Sequence, residues 1–319
     1  MGTPLTCVRD WKGVSCVAME RKRNPAKPDG GFDAGTPSCL RRKKMTKEEI
    51  TKKIAEASKL VRETKPLAPS ITNTVTVNFV ANAQIACGGS AAMVYLPDEG
   101  ECVAEIGGSV YINLGTLFPF YDETVARTAR KLADLKKNWV LDPVGLGIGS
   151  LRTKIVMDLK NYPPTVIRGN ASEIIALAKM WDLTSGSDSE GPKGVDTVDT
   201  VKSAEEAAKS VAKFIKGAVA VSGVEDFVTD GTTSVYSKGG SHFMEKITGA
   251  GCSLGGVCAV YASVTDSFTA ALAATQHYNL AGSRAEKKAS GPAGFQMNFI
   301  DELYLAKPEE IAENEFRVL

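Results

Sequence analysis

At 319 residues the chain is long enough to bury a full core as one large domain or two. Its 43% apolar and 24% charged residues are the proportions of a globular protein in water, and no uninterrupted apolar run reaches the ~18–20 residues that span a bilayer, which excludes an integral helical membrane protein. The net charge of +1 conceals a split: residues 1–44 carry ten Lys/Arg against four Asp/Glu, while the rest carry 28 against 33, and a body this mildly acidic is not that of a nucleic-acid-binding protein.

Cysteine usage narrows the chemistry further. The seven cysteines, Cys7, Cys16, Cys39, Cys87, Cys102, Cys252 and Cys258, are odd in number and form no C-x-x-C pair, and only His242 and His277 could join them. Neither a zinc site nor a disulfide framework is expected, and free thiols point to a reducing, cytoplasmic compartment. With no secretory segment ahead of the body, the Asn170-Ala171-Ser172 sequon reads as coincidence.

Residues 1–44 mix Pro, Gly, Lys and Arg without helical or strand period, so a disordered basic extension is expected, with Met45 reading as a natural start of a single domain over 45–319. Thr46-Lys47-Glu48-Glu49 is a capping box, and Ile50, Ile54, Ala57 and Val61 recur behind it at helical spacing, which predicts a first helix over 46–63. Pro66 and Pro69 then break the chain, so Ser70-Ile71-Thr72-Asn73 reads as a loop opening onto a second helix through Asn78, Ala81 and Ile85, ending near Gly88-Gly89.

Short β-rich runs alternate with amphipathic helices from there on. Val110–Asn113, Trp139–Asp142, Thr165–Arg168 and Ala218–Val221 read as buried strands. Between them fall a helix capped by Asp122, a helix from Ala171, and a helix opened by a Ser203/Glu206 capping box and closed at Gly217. Residues 226–237 read as a hairpin turning at Asp230-Gly231, and 184–199, rich in Ser, Gly and Asp, as a surface loop. This alternation implies an α/β fold with a mostly parallel central sheet and helices on both faces.

In open parallel sheets ligands bind beyond the carboxyl ends of the strands. The polar residues ending these strands are Asn113, Asp142, Arg168-Gly169-Asn170 and Ser222-Gly223, and all should meet on one rim. No G-x-x-x-x-G-K-[ST] occurs, which excludes a P-loop, and Gly145-x-Gly147-x-Gly149 has its third glycine misplaced for a dinucleotide fingerprint, so a wide strand-to-helix turn is the simpler reading. Asp142 and Glu173, each just after a strand, suit Mg²⁺ otherwise held by water and phosphate, or are a helix cap and a solvated charge. Arg168 can clamp phosphate oxygens or bridge to a carboxylate. Thr248-Gly249-Ala250-Gly251-Cys252 precedes an apolar helix, placing bare backbone N–H groups at the positive end of its dipole. Cys252 at its edge is either a buried small residue or a group beside the reacting atoms.

Nine motifs in order identify the family that the chain resembles. They run from Ser70-Ile71-Thr72-Asn73, Asn78-Phe79-x-Ala81-Asn82 and Ala92-Met93 through Asn113-Leu114-Gly115-Thr116-Leu117, Leu141-Asp142-Pro143-Val144-Gly145 and Ile167-Arg168-Gly169-Asn170-Ala171-Ser172-Glu173. They continue with Val228-Thr229-Asp230-Gly231, Thr248–Cys252 and Gly291-Pro292-x-Gly294-Phe295-Gln296. Over about residues 46–307 the chain resembles the hydroxyethylthiazole kinases, which have the three-layer ribokinase-like fold and phosphorylate 4-methyl-5-(2-hydroxyethyl)thiazole with ATP in thiamin salvage. The resemblance implies that Asn73, Met93 and Gly249 face the thiazole and that Arg168, Ser222 and Asn170 meet the nucleotide. It implies that Asp142 and Glu173 hold Mg²⁺, and that Gly249, Ala250, Gly251 and Cys252 form the catalytic turn of a homotrimer with active sites between subunits. Two departures stand out: Ala68-Pro69 replace a His that the family usually has, and Val224-Glu225-Asp226 follow the Val-Ser-Gly strand end where it usually has Glu. A kinase for another heterocyclic alcohol, such as hydroxymethylpyrimidine, and a silent thiazole-binding protein are the competing readings.

Overall fold

The computed structural model describes residues 43–184 and 201–319. The expected basic extension, but for its last two residues, and the loop expected after Thr184 lie outside the described residues. The chain runs α1 (Lys47–Thr64), β1 (Leu67–Ile71), α2 (Val77–Ala86), β2 (Ser90–Met93), α3 (Pro97–Ile106), β3 (Val110–Asn113), α4 (Tyr121–Asp134), β4 (Trp139–Asp142), α5 (Ser150–Leu159), β5 (Val166–Asn170) and α6 (Ala171–Met180). After a 3₁₀ turn at Val201–Ala204 come α7 (Glu205–Ile215), β6 (Ala218–Ser222), β7 (Asp226–Thr229), β8 (Ser234–Ser237), a 3₁₀ turn at His242–Lys246, α8 (Ala250–Ala262), α9 (Ser267–Glu286), α10 (Pro292–Leu305), α11 (Pro308–Glu313) and β9 (Phe316–Val318).

All nine strands share one sheet in the order β2-β1-β3-β4-β5-β6-β7-β8-β9. The pairings from β2 across to β6 are parallel, and those from β6 to β9 antiparallel. Alternate strand residues feed two apolar layers, as the two-residue period of a strand requires. Ala68, Tyr111, Val140 and Ala220 pack with α1, α2 and α8–α11 on one face. Ile71, Ile112, Leu141, Ile167 and Val221 pack with α3–α7 on the other. The expected three-layer, mostly parallel α/β architecture is what the chain adopts.

Local signals succeeded where their partners were near in sequence. Thr46 Oγ1 accepts from the Glu49 N–H at 3.2 Å, Glu49 Oε2 accepts from the Thr46 N–H at 2.8 Å, and Ile50, Ile54, Ala57 and Val61 are buried behind that box. Three expectations need correction. Ser70 and Ile71 are strand, because both are buried and pair with Tyr111 and Ile112 of β3; Pro69, lacking an N–H, sits at the margin of that ladder. Ser203 is not the N-cap of α7: a 3₁₀ turn intervenes and α7 starts at Glu205 without a side-chain cap. Asp122 lies inside the first turn of α4 rather than ahead of it, where its charge complements the helix dipole. The glycine-rich stretch after β4 is the wide turn into α5.

Beneath the sheet lies a buried relay between α1, α8, α9 and α10. His277, with no exposed surface, faces the Leu303 carbonyl through Nε2 at 2.8 Å and Tyr261 Oη through Nδ1 at 3.0 Å, and Ser58 Oγ lies 3.1 Å from the same phenol. A carbonyl only accepts, so Nε2 carries the proton and Nδ1 accepts from Tyr261. Burial pushes the His277 pKa down to about 3. The folded protein therefore keeps His277 neutral while the unfolded chain protonates it below its ordinary pKa, so this stability is present above about pH 6.5 and is lost towards pH 3 at about 1.4 kcal/mol per pH unit. Thermal melts of wild type and His277→Gln between about pH 7.5 and pH 5 should show the wild-type Tm falling more steeply; parallel curves would contradict the relay's role in acid sensitivity.

Candidate active site

Strand register gathers the rim residues. Asn113 and Asp142, the last residues of β3 and β4, are register partners, as are Asn170 and Ser222 at the ends of β5 and β6. Met93 ends β2 opposite Ser70, three residues before Asn73. It is half-buried and packs against the core that underlies α8. The turn Gly249–Cys252 opens α8 at this same group, since Gly249 meets α2, Gly251 meets Arg168 and Cys252 meets Asn73.

The side chains form an unbroken polar line from the turn to the end of β6. Asn73 Nδ2 lies 3.5 Å from Cys252 Sγ and donates to Asn113 Oδ1 at 2.8 Å, while Asn73 Oδ1 accepts from the Thr76 N–H at 3.1 Å. Asn113 Nδ2 donates to Tyr111 Oη at 2.8 Å and to Asp142 Oδ2 at 3.1 Å, and the Tyr111 hydroxyl donates to that same oxygen at 3.0 Å. Arg168 Nη1 reaches Asp142 Oδ2 at 3.4 Å, and its Nε and Nη2 donate to Ser222 Oγ at 3.3 and 3.0 Å. Because Asn113, Tyr111 and Asp142 have no exposed surface, each polar atom needs a protein or ligand partner.

Two glycines shape the turn. Gly249, at φ +95°, occupies the left-handed region, and a Cβ there would lie 2.9 Å from Thr76 Cγ2. Gly251 lies under the Arg168 guanidinium, and a Cβ would stand 2.6 Å from Nη1. Gly249 has no side chain to cap the helix, so the N–H groups of the first turn of α8 stay directed at the rim with the positive end of the dipole behind them. That is the geometry of an anion site.

Beside the Arg168 head group a cleft of about 1020 Å³ opens, lined by Arg168, Asn170, Ser222, Ala250 and Gly251 and extending along Gly223–Asp226 and Gly239–Glu245. Asn73, Met93 and Cys252 do not line it, so the sequence-derived residues divide into those on the cleft wall and those behind the turn Gly249–Cys252. Asn170 also caps α6: its Oδ1 accepts from the Glu173 N–H at 2.9 Å and the Ser172 hydroxyl at 2.8 Å. Glu225 approaches Arg317 at 3.9 Å and lies on the cleft wall.

Burial raises the Asp142 pKa, against the opposing pull of Arg168, to about 7. Its Oδ1 is buried without a hydrogen-bond partner among the described residues. An orphaned hard oxygen of this kind fits the Mg²⁺ that the fold family implies. Glu173 accepts from the Gly145 N–H at 3.1 Å and the Asn170 N–H at 2.8 Å, which leaves its charge beside the site and its oxygens partly engaged. Among the described residues no group of three His, Cys, Asp or Glu side chains converges on a metal position. Such sparse protein ligation suits an ion that keeps its waters and phosphate oxygens. Burial also raises the Cys252 thiol above its ordinary value, with the Asp142 charge adding to it, so the resting thiol holds its proton at neutral pH.

The model of the hydroxyethylthiazole kinase family matches residues 58–309. The chain belongs to the hydroxyethylthiazole kinase family. It is 49% identical over 306 residues to the hydroxyethylthiazole kinase of Bifidobacterium longum (strain DJO10A), with 90% of this chain and 96% of that one covered. The solved hydroxyethylthiazole kinase of Pyrococcus horikoshii OT3 superposes with a TM-score of 0.75 at 29% identity, over 84% of this chain and 99% of that one. A ribokinase-like superfamily protein from Enterococcus faecalis V583, 12% identical with a TM-score of 0.54 over 79% of this chain and 93% of its own, shares the fold alone. Membership in this family and the ribokinase-like fold agree with the motif order.

Sequence reasoning missed Tyr111, whose hydroxyl joins Asn113 to Asp142. A Tyr inside a run of buried strand residues reads as core, and only its placement beside two polar strand ends distinguishes it. Gly251→Ala should force Arg168 off Ser222 and Asp142, since the added Cβ would stand 2.6 Å from Nη1 and 2.7 Å from Nη2 and push the head group into the cleft. Losing charge-assisted bonds of this kind should weaken nucleotide binding by about tenfold or more, measured by calorimetry, while the fold persists by circular dichroism.

Proposed function

We propose that the protein transfers the γ-phosphoryl group of ATP, with Mg²⁺, to the hydroxyl of 4-methyl-5-(2-hydroxyethyl)thiazole, forming the monophosphate in cytoplasmic thiamin salvage. The observation that carries this reading is the polar line from Cys252 through Asn73, Asn113 and Asp142 to Arg168, which passes beside an uncapped helix N-terminus. Family membership supplies the acceptor class.

Arg168 and Ser222 hold the donor's phosphates at the mouth of the cleft, with Asn170 beside them. Backbone N–H groups of Gly249, Ala250 and Gly251 face the transferring phosphoryl oxygens and stabilise the charge that builds on them in an in-line displacement. Asn73, Met93 and Gly249 position the thiazole so that its hydroxyl meets the phosphorus beside Cys252. Mg²⁺, held by Asp142 with Glu173 nearby, would neutralise charge on the β and γ oxygens. The transition state is loose and demands little deprotonation of the alcohol, so a protonated thiol at Cys252 costs little, and the acceleration rests on backbone dipoles and fixed charge. The working form is a homotrimer with its sites between subunits, the domain over 45–319 being the catalytic unit.

Incubation with ATP·Mg²⁺ and hydroxyethylthiazole, read by mass spectrometry, should yield the phosphorylated thiazole. Hydroxymethylpyrimidine in parallel should yield far less; preferential pyrimidine phosphorylation would favour that kinase instead, and thiazole binding without turnover a silent binding protein. Cys252→Ala should lower kcat by about ten- to a hundredfold and leave ATP affinity nearly intact, while Cys252→Asp should retain or raise activity. Full turnover in the Ala variant would remove Cys252 from the chemistry.

A further inference from the structure

The first turn of α8 has no side-chain cap, yet it is held from behind. The Tyr278 hydroxyl on α9 donates to Ser253 Oγ at 2.6 Å. The Ser253 hydroxyl lies 2.7 Å from the Gly249 carbonyl oxygen and 3.1 Å from that of Ala250, and the Ser253 N–H donates to the Gly249 carbonyl at 2.8 Å. Both side chains are buried, Tyr278 at 3% exposure and Ser253 at 0%. A Ser bonding back to the carbonyl four residues earlier is common in helices. A second buried hydroxyl, reaching in from another helix to fix that Ser, is not part of that pattern. Tyr278 also forms part of the cleft wall together with Ala250 and Gly251.

We infer that Tyr278 and Ser253 are positioning residues for phosphoryl transfer, holding the Gly249 and Ala250 carbonyls and with them the direction of the Ala250 and Gly251 N–H groups. The inference rests on the functional reading above. Gly249 is the one residue of the turn in the left-handed region, so its flanking peptides are the units free to rotate, and its doubly bonded carbonyl stops that rotation. The aligned N–H groups gain most when charge moves onto the transferring group. Arg168 and Ser222, by contrast, hold the donor before reaction, and among the described residues Tyr278 makes no hydrogen bond to either. Loss of the relay should therefore appear in kcat rather than in the KM for ATP.

The test compares wild type with Tyr278→Phe, Ser253→Ala, Ser253→Thr and the Phe/Ala double variant. Thiazole phosphorylation by the wild type is established first, so failure of the functional reading shows before any variant is assayed. Tyr278→Phe should lower kcat about tenfold with the KM for ATP within about twofold, because small misplacement of stabilising groups is costly. Ser253→Ala should do the same, Ser253→Thr should recover most of the loss, and the double variant should be no worse than the worse single, as members of one relay are non-additive. Hydrogen exchange of the Ser253 amide, which is bonded to the Gly249 carbonyl, should quicken in Tyr278→Phe at an unchanged Tm. Wild-type kcat in Tyr278→Phe, or an additive double variant, would overturn the inference; so would a loss expressed mainly in the KM for ATP. If Tyr278→Phe lowers the Tm, the comparison of Ser253→Ala with Ser253→Thr decides alone, and equal activity in the two rejects the relay.

Discussion

The site depends on one buried cation. Arg168 is 8% exposed, and a guanidinium that far from water is tolerable only where fixed partners replace its hydration. Ser222 and Asp142 are those partners, and the absence of a side chain at Gly251 makes room for the head group. A single side chain of β5 thus ties together the ends of β4 and β6 and the first turn of α8. Asp142 is in turn shared with Tyr111 and Asn113, so the constraint passes on to Asn73 and Cys252.

This arrangement needs a helix that can lie directly against the sheet. From Ser253 to Ala262 every residue of α8 is buried, and an all-round apolar helix has no solvent face to orient. Small residues let it approach closely while its first turn emerges at the strand ends with N–H groups uncommitted. The fold therefore supplies an electropositive backbone surface, and the strand ends supply the charges and amides around it. Phosphoryl transfer asks mainly for positioning and charge stabilisation, which such a surface can provide without a strongly basic side chain.

Several residues serve the fold and the site together. Asn170 and Glu173 close a reciprocal cap at the start of α6, and Glu173 also ties down Gly145 in the turn after β4. Their polar atoms are held by local bonds, which keeps the turn after β4 and the β5–α6 junction in place. A capping oxygen accepts from helix N–H groups as a bound anion would, so at the start of α6 the protein fills that place with its own side chains.

What could be read from the chain follows the range of the forces involved. Helix α1 and its capping box, the strands at 110–113 and 139–142, the hairpin at 226–237 and the alternation behind an α/β sheet depend on near neighbours, so residue order reveals them. Motif order carried the family and the grouping of Asn73, Asp142, Arg168, Ser222 and Gly249–Cys252. Where the partner is distant, local reading failed: Ser70-Ile71 became strand through pairing with β3, and Ser203 lost its capping role to a 3₁₀ turn. The chain by itself determined the family and which polar side chains stand at the strand ends. Only the tertiary structure decided that Tyr111 bridges Asn113 to Asp142, that Cys252 keeps its proton, and that Tyr278 holds the turn through Ser253. Those properties arise from burial and from contacts between residues as far apart as Asn73 and Cys252, and no local pattern encodes them.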